Sequence, residues 1–297
     1  MSNAFHDPAP HASRQRRSVL FVPAANERAL AKIASLDCDA VIVDLEDSVA
    51  PAEKAAARER MRRFLKVRES TVHEIIVRIN ALDGEWGTED LLAARAAGVD
   101  AILLPKIEDR TAVETARSAL DHTDAPPSMQ LWAMIETPLG IVNLAEITRH
   151  ASKSRLECLV VGPNDLAKET GIEAVPGRSY LAPLLMQVVV AAKANRIGVL
   201  DGVYNDFRDA DGFADECRQA RSMGFDGKTL IHPGQIAAAN LAFGVSAARL
   251  AEARAIVKAF ARPENVAKGV IQLDGRMVER LHLSEAQALL AREERSR

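Results

Sequence analysis

The sequence is poor in cysteine and in aromatic residues, and it has no excess of charge of one sign. Its three cysteines, Cys38, Cys158 and Cys217, are odd in number and far apart, so there is no Cys-x-x-Cys spacing for zinc or redox chemistry. Such sparse, reduced thiols are typical of the cytoplasm, where we expect the protein to act. The 38 basic and 41 acidic residues give a formal charge of -3 and are interspersed. This balance argues against a nucleic-acid or membrane-surface partner.

Several segments and motifs are also missing. No apolar run reaches the roughly 20 residues of a membrane span, and the amino terminus lacks the apolar core of a signal peptide. The first 17 residues, "MSNAFHDPAPHASRQRR", are mildly basic, and we expect residues 1–15 to be a flexible lead-in. There is no Gly-x-Ser-x-Gly elbow, Walker loop or paired-histidine motif. These absences leave catalysis by carboxylates and basic groups as the chemistry to look for.

Short aliphatic runs alternate with longer Ala-, Leu-, Glu- and Arg-rich stretches of helical period, which predicts parallel strands joined by helices. The eight candidate strands span residues 18–23, 40–46, 74–80, 101–107, 130–136, 158–163, 197–203 and 227–232. Eight such units suit a (β/α)8 barrel over residues 16–245. A doubly wound open sheet is the alternative, but no Gly-x-Gly-x-x-Gly follows the first strand. Residues 246–297 are predicted to form a helical tail on the outside of the barrel or on a neighbouring subunit.

Polar residues occur inside these apolar strands mainly at their carboxyl ends, which face one mouth in a barrel. The residues with this placement are Asp44, Glu46, Arg78, Asn80, Lys106, Glu136, Asp165, Asp201 and His232. Because side chains alternate along a strand, Asp44 with Glu46 and Arg78 with Asn80 should each point to one side. The sequence therefore predicts a polar site at the mouth.

Glu136 and Asp165 come from consecutive strands, with no Cys or His close by in sequence. Two hard carboxylates with room for water are ligands typical of Mg²⁺ rather than of zinc. The alternative is a buried carboxylate pair neutralised by Arg or Lys. Asn164 or Asp165 could also cap a helix after Gly162 and Pro163, although capping does not explain Glu136.

Three basic residues at the strand ends have two interpretations each. Arg78 can bind a carboxylate or stabilise an oxyanion, or it can pair with Asp44, Glu46 or Asp47. Lys106 could be a Schiff-base nucleophile, but the many carboxylates nearby favour a supporting ion pair. His232 could be an acid or base, yet "HPGQ" reads better as a turn that starts a helix.

A basic segment around the first strand, "RQRRSVLFVPAANER", is a candidate phosphate-binding region. It contains Arg16, Arg17 and Arg28, and Lys32 follows shortly after. On charge alone, a solvated basic face explains it equally well.

Several motifs together resemble one protein family. They are "RRSVLFVPAANERAL", "CDAVIVDLEDSVAPAEKAAAR", "VRIN", "LLPKIE", "MIETPLGIVNLAEI", "VVGPNDLAKETG", "LDGVYNDFRD" and "GFDGKTLIHPGQI". In combination they are similar to the citrate lyase beta subunit-like branch of the HpcH/HpaI aldolase superfamily. The resemblance runs from Arg16 to the carboxyl-terminal helix.

This resemblance implies a trimeric or hexameric barrel that binds Mg²⁺ through the positions of Glu136 and Asp165. It implies an enzyme that cleaves or forms a carbon–carbon bond between acetyl-CoA and a 2-oxo acid, with citryl-, malyl- or citramalyl-type thioesters as the substrates of cleavage. Arg78 would contact the acid and polarise the thioester oxygen, with Asp47 also catalytic. Further substrate-binding positions would be Arg17 and Arg28, which would meet the coenzyme A phosphates, and Lys106, Pro163 and Asn164. An aldolase acting on free 2-oxo-4-hydroxy acids and a non-catalytic subunit are the alternatives.

The tail departs from the family pattern at one position. Coenzyme A lyases of this family carry a sequence like "DGKMID", whose last Asp reaches the site of a neighbouring subunit as acid or base. Here "DGRMVE" places Glu279 at that position, with Asp274 as a weaker substitute. Glu can transfer the same proton, but its extra methylene moves the carboxyl group by about one bond length. Either Glu279 keeps the chemistry, or the substrate differs.

Overall fold

The structure is a computed structural model that describes residues 14–67, 73–173 and 175–295. Most of the predicted lead-in, residues 1–13, lies outside the described residues. Arg14 is described, and its guanidinium is 2.9 Å from the Asp100 carboxylate. No helix among the described residues is long and apolar enough to cross a membrane.

Eight parallel strands pair in sequence order and close into a barrel, because β1 pairs with both β2 and β8. They are β1 (Ser18–Pro23), β2 (Ala40–Asp44), β3 (Glu74–Arg78), β4 (Ala101–Leu104), β5 (Gln130–Ile135), β6 (Leu156–Val161), β7 (Gly198–Asp201) and β8 (Gly227–Leu230). The predicted (β/α)8 barrel is therefore confirmed, and the open-sheet alternative is wrong. Most predicted strands extended a few residues too far at the carboxyl end, where the chain leaves the sheet to form the mouth.

Helices follow the strands, as the alternating pattern predicts. They are α1 (Glu27–Lys32), α2 (Lys54–Val67), α3 (Gly87–Ala96), α4 (Arg110–His122), α5 (Pro138–Val142), α6 (Leu144–Thr148), α7 (Pro163–Thr170), α8 (Ala182–Ala194), α9 (Ala210–Met223) and α10 (Ile236–Phe243). Two of them end at glycines: Gly98 lies just beyond α3 and Gly224 caps α9, both with positive φ. Glycine adopts this conformation without the steric cost that a Cβ brings.

Strand alternation divides the core into two layers. Ile42, Ile76 and Trp132 point into the barrel, while their neighbours Val43, Val77 and Ala133 pack outwards with the helices. Two residues beyond an inward position the side chain is again inward, so Asp44, Arg78 and Glu136 continue the inward series at the mouth. The strand period thus brings these three polar groups together.

The same rule places Asp201 outside the barrel, contrary to the prediction that it faces the mouth. It follows the inward Leu200, so it shares the outward side of Val199. There it is fully buried beside Lys228 and Arg178, with Lys228 Nζ 2.6 Å from Asp201 Oδ2. Its carboxylate belongs to a buried ion cluster rather than to the site.

Gly244–Arg297 form a second compact unit, of which the structure describes residues up to 295. This unit contains α11 (Ala247–Phe260), β9 (Val270–Leu273), β10 (Arg276–Glu279) and α12 (Arg280–Arg295). The antiparallel β9–β10 hairpin was not predicted, since the tail was expected to be helical with a break. Its turn is Asp274–Gly275, both with positive φ, which is the Asp-Gly signal of a tight hairpin.

Candidate active site

A cavity of about 370 Å³ opens at the carboxyl ends of the barrel strands. Its volume is near the low end of the range for small-molecule sites, about 300–1,000 Å³. Five charged side chains line it: Asp44, Asp47, Arg78, Glu136 and Asp165. The apolar part of its wall includes Phe21, Met134, Val161, Val203 and Ile231. A cavity of this size suits a small molecule, and its four carboxylates against one arginine favour a bound cation.

Glu136 follows β5 directly and is 1% exposed. One carboxylate oxygen accepts a hydrogen bond from the backbone N–H of Lys106, at 2.8 Å. Burial raises the pKa of Glu136 to about 7, and the carboxylates of Glu46 and Asp165 shift it in the same direction. The Lys106 N–H and the Arg78 guanidinium oppose this shift but do not cancel it.

Asp165 lies in the first turn of α7, where Gly162 is the N-cap residue. The helix begins as the sequence predicted, but no side chain caps it, so the capping interpretation of Asn164 and Asp165 is wrong. Asp165 lines the cavity instead. None of the described lysines and arginines forms a hydrogen bond or an ion pair with it. An acidic residue in the first helical turn is favoured by the helix dipole.

Two glycines allow the loops after β5, β6 and β7 to approach one another closely. A Cβ at Gly162 would lie 2.4 Å from Glu136 Oε2, and a Cβ at Gly202 would lie 2.1 Å from Pro163 Cδ. Real atoms cannot come this close, so both positions need glycine for the cavity wall to keep this shape. Asn164 completes the wall through reciprocal amide hydrogen bonds with Asn205, of 3.3 and 2.8 Å.

Arg78 ends β3 and forms a bidentate pair with Asp44, with both N···O distances 2.7 Å. Its remaining nitrogen lies 3.0 Å from Glu46 Oε2 and 3.6 Å from Met134 Sδ. Burial favours neutral Asp44, but Arg78 outweighs this effect and holds the pKa of Asp44 below its usual range. The two interpretations of Arg78 are thus compatible: ion pairs fix its orientation while it lines the cavity.

Lys106 and Asp47 lie at the rim of the same network. Lys106 Nζ is 2.8 Å from Glu46 Oε1 and 3.7 Å from an Asp47 carboxylate oxygen. Burial alone would lower the pKa of Lys106, but Glu46 raises it to about 12. A lysine that stays protonated is a poor nucleophile, so the supporting ion pair is the better interpretation. Asp47 is half exposed and reaches Arg78 at 3.9 Å.

The structure does not bring Arg17 to the mouth. Arg17 and its partner Asp39 directly precede β1 and β2, so they lie at the amino-terminal end of the barrel, with N···O distances of 2.7 and 2.8 Å. Arg16, also at that end, is buried against Glu74 and Glu157. Arg28 is exposed in α1, on the mouth side, since α1 follows the carboxyl end of β1.

Glu279 and His232 complete the predicted set. Glu279 ends β10 in the second unit and is exposed. His232 Nδ1 accepts the Gly234 N–H at 3.1 Å, and its ring stacks on Phe207. The interpretation of "HPGQ" as a turn that starts a helix is confirmed by the capping box that His232 forms with Gln235.

The family model described as HpcH/HpaI aldolase/citrate lyase matches residues 17–233. The chain belongs to this family. It is 43% identical over 284 residues to a (3S)-malyl-CoA thioesterase of Cereibacter sphaeroides, covering 96% of each protein. It is 35% identical over 295 residues to citrate lyase subunit beta of Escherichia coli, covering 96% of this chain and 95% of that one. A crystal structure of CitE from Mycobacterium tuberculosis in complex with magnesium, acetoacetate and coenzyme A matches with a TM-score of 0.76 and 30% identity, covering 94% and 98% of the two chains.

Sequence reasoning missed one buried lysine that joins two loops at the mouth. Lys54 Nζ donates to the carbonyls of Leu45 and Glu46, at 2.9 and 2.8 Å, and to Asn80 Oδ1, at 2.8 Å. Asn80 is therefore turned towards Lys54 and Asp90 rather than into the cavity. The signal was the position of Lys54 within the "DLEDSVAPAEK" motif, but its place in a helix suggested a solvated side chain. The lysine ties the loop after β2 to the loop after β3.

Proposed function

We propose that the protein is a magnesium-dependent enzyme that cleaves a malyl-, citramalyl- or citryl-type thioester into acetyl-CoA and a 2-oxo acid, or forms the same carbon–carbon bond in reverse. The observation that carries this proposal is the convergence of Glu136, Asp165 and Arg78 on one cavity. Its relatives support the use of a coenzyme A ester and of magnesium, because one is a citrate lyase subunit, one is a malyl-CoA thioesterase, and one structure contains magnesium and coenzyme A.

The carboxylates suit a hard divalent cation. Glu136 is buried, its pKa is raised, and neighbouring carboxylates add to the shift, so bound positive charge would relieve both effects. Glu136 and Asp165 would hold Mg²⁺ and leave further positions to water and substrate oxygens. Magnesium bound there would act as a Lewis acid on the oxygens of the hydroxy or oxo acid.

Arg78 would supply the second positive charge. Its pair with Asp44 fixes the guanidinium before substrate arrives, so little reorganisation is needed during the reaction. In the cleavage direction a base takes the proton of the 3-hydroxyl group, the carbon–carbon bond breaks, and its electron pair passes into the thioester as an enolate. Arg78 would stabilise the negative charge of that enolate, and an acid then protonates its carbon to give acetyl-CoA.

Two carboxylates are proposed for the proton transfers. Asp47 lines the cavity and is half exposed, so it can reach a bound acid. Glu279 would act from the tail of a neighbouring subunit in a trimer or hexamer, as the family pattern implies. Arg28, exposed on the mouth side, is the proposed phosphate contact for coenzyme A, and Lys106, Pro163 and Asn164 would shape the acid site.

Glu279→Gln is expected to lower kcat by about 100-fold, because positioned acid–base groups contribute at least this much. KM should change little, since Gln keeps the size of the side chain. Steady-state kinetics on a malyl thioester would measure both. The matched control is Glu285→Gln, an exposed residue of the same unit. Undiminished turnover of Glu279→Gln would exclude Glu279 as acid or base.

Thioester hydrolysis is the second candidate function, and the 43% identity to a malyl-CoA thioesterase favours it. The products separate the two. Cleavage of malyl-CoA gives glyoxylate and acetyl-CoA without a free thiol, whereas hydrolysis adds water and gives malate and free coenzyme A. Incubation with magnesium should therefore be followed both by a thiol-reactive dye and by glyoxylate phenylhydrazone formation.

We expect glyoxylate to form before any free thiol. Its formation should require magnesium, so a chelator should stop it. Thiol release without glyoxylate or acetyl-CoA would establish hydrolysis and overturn the carbon–carbon proposal. Inertness towards every thioester, with cleavage of free 2-oxo-4-hydroxy acids, would favour the aldolase alternative. The substrate screen should include citramalyl-CoA and citryl-CoA alongside malyl-CoA.

A further inference from the structure

Lys106 has a left-handed backbone, with φ of 49°. Residues other than glycine rarely adopt this conformation, because their Cβ crowds the following carbonyl oxygen. Other non-glycine residues with positive φ in the described part of the chain are Asp124, His150, Arg155, Arg178, Arg196 and Asp274. Among these described residues, Lys106 alone lies just beyond the carboxyl end of a barrel strand, two residues after Leu104 at the mouth.

The conformation interrupts the pairing of β4 with β5. Leu104 is the register partner of Ala133, and the Ile107 N–H donates to the Met134 carbonyl at 3.2 Å. In a parallel ladder an N–H donates to the residue that precedes its register partner, so Ile107 is level with Ile135. The first strand therefore advances by three residues while the second advances by two, and Pro105–Lys106 contain a bulge of one residue. Proline has no N–H to leave unpaired, and the freed N–H of Lys106 points to Glu136.

The Glu136 carboxylate is contacted by main chain on two sides, and one of these contacts comes from the bulge. The Lys106 N–H donates to Oε1 at 2.8 Å, and the backbone of Gly162 packs against Oε2 so closely that a Cβ there would lie 2.4 Å away. The Lys106 ammonium also anchors the bulge, through Glu46, to the loop after β2. Both carboxylate oxygens of Glu136 thus have main-chain neighbours.

We propose that the left-handed backbone of Lys106 is a positioning device, which orients the Glu136 carboxylate for the cation through the Lys106 N–H. This inference rests on the proposed function, in which Glu136 is a magnesium ligand. It assigns the role to the main chain of Lys106 and gives the ammonium the separate task of neutralising Glu46.

The test compares Lys106→Gly with Lys106→Val. Both variants lack the ammonium and keep the backbone N–H, but glycine adopts positive φ freely whereas a β-branched residue resists it. Magnesium affinity is measured on the full chain by isothermal titration calorimetry, together with Tm. We expect Lys106→Val to bind magnesium at least about 10-fold more weakly than Lys106→Gly, the lower end of the cost of losing a group that orients a metal ligand.

His150→Gly and His150→Val are the matched control pair. His150 is exposed, has φ of 61° and lies in the turn after α6. Its two variants should differ in Tm but bind magnesium equally, which separates general backbone strain from positioning. If Lys106→Val loses Tm but binds magnesium as well as Lys106→Gly, the role of Lys106 is merely structural and the inference is wrong.

Glu136→Gln distinguishes a failure of this inference from a failure of the proposed function. If it abolishes magnesium binding while the two Lys106 variants bind equally, only the positioning role falls. If it leaves magnesium binding unchanged, Glu136 is not a ligand and both proposals fall.

Discussion

Glu136→Gln is expected to lower magnesium-dependent turnover by more than about 1,000-fold, because loss of a single transition-state contact already costs about 100- to 1,000-fold. The variant keeps the shape of the side chain and an oxygen that can accept the Lys106 N–H. It removes the negative charge that would hold the cation. Asp165→Asn should have the same effect by the same route.

The same substitution should raise Tm when the protein is measured in chelator. The pKa of Glu136 is raised to about 7 by burial and by neighbouring carboxylates, so at pH 8 its ionised form destabilises the folded state. A neutral amide relieves that cost. Activity and stability therefore move in opposite directions, as expected for a functional group kept at the expense of stability.

Glu157→Gln is the matched control for Glu136→Gln. Glu157 is also a largely buried glutamate on a barrel strand, but it pairs with Arg16 near the amino-terminal end. Its variant should keep turnover and should lose rather than gain stability, because Arg16 loses a charged partner. Normal turnover of Glu136→Gln, or a loss of activity in Glu157→Gln of equal size, would contradict the assignment of the site to the mouth.

Lys228→Met is expected to destabilise the barrel by about 3–5 kcal/mol, the usual cost of removing one partner from a buried ion pair. Lys228 Nζ is fully buried and lies 2.6 Å from Asp201 and 2.7 Å from Glu216. Without it, two buried carboxylates share the single guanidinium of Arg178. The shift in Tm, or in the urea midpoint followed by circular dichroism, measures the effect.

Acidification should narrow the difference in stability between the wild-type protein and Lys228→Met. Burial favours neutral Asp201, but Lys228 and Arg178 outweigh it and hold the pKa of Asp201 below its usual value. The folded protein therefore binds fewer protons than the unfolded chain, whose Asp pKa is about 3.9. The stability from Asp201 is present above that pH and is lost as the pH falls through the folded pKa. Lys228→Met has already lost most of this contribution, so the stability of the variant falls less with pH than that of the wild-type protein.

Lys193→Met provides the comparison for an exposed lysine. Lys193 pairs with Asp226, and both side chains are more than 40% exposed. Such surface pairs contribute about 0–1 kcal/mol, so little change is expected. If the two lysine variants destabilise the protein equally, the buried cluster has no special role in holding β7 and β8 together.

The sequence by itself determined the barrel and the centre of the candidate site. Eight apolar runs separated by stretches of helical period are enough to predict the strands, and the polar residues at their carboxyl ends, among them Asp44, Arg78 and Glu136, mark the mouth. Two errors were avoidable from the sequence. Arg17 precedes its strand, so it belongs to the opposite end of the barrel, and the Asp274–Gly275 pair marked the hairpin of the tail.

Only the tertiary structure decided how the charges pair and which way Asp201 points. Whether Asp201 points inwards or outwards depends on how the four residues of β7 are aligned with the neighbouring strands. A strand that is buried on both faces has no polar alternation from which this alignment can be predicted. The contacts of Lys54 and Lys228, and the left-handed bulge at Lys106, depend on distances between residues that are far apart in the chain. Ion-pair partners and backbone strain are set by packing across strands, and local sequence does not encode that packing residue by residue.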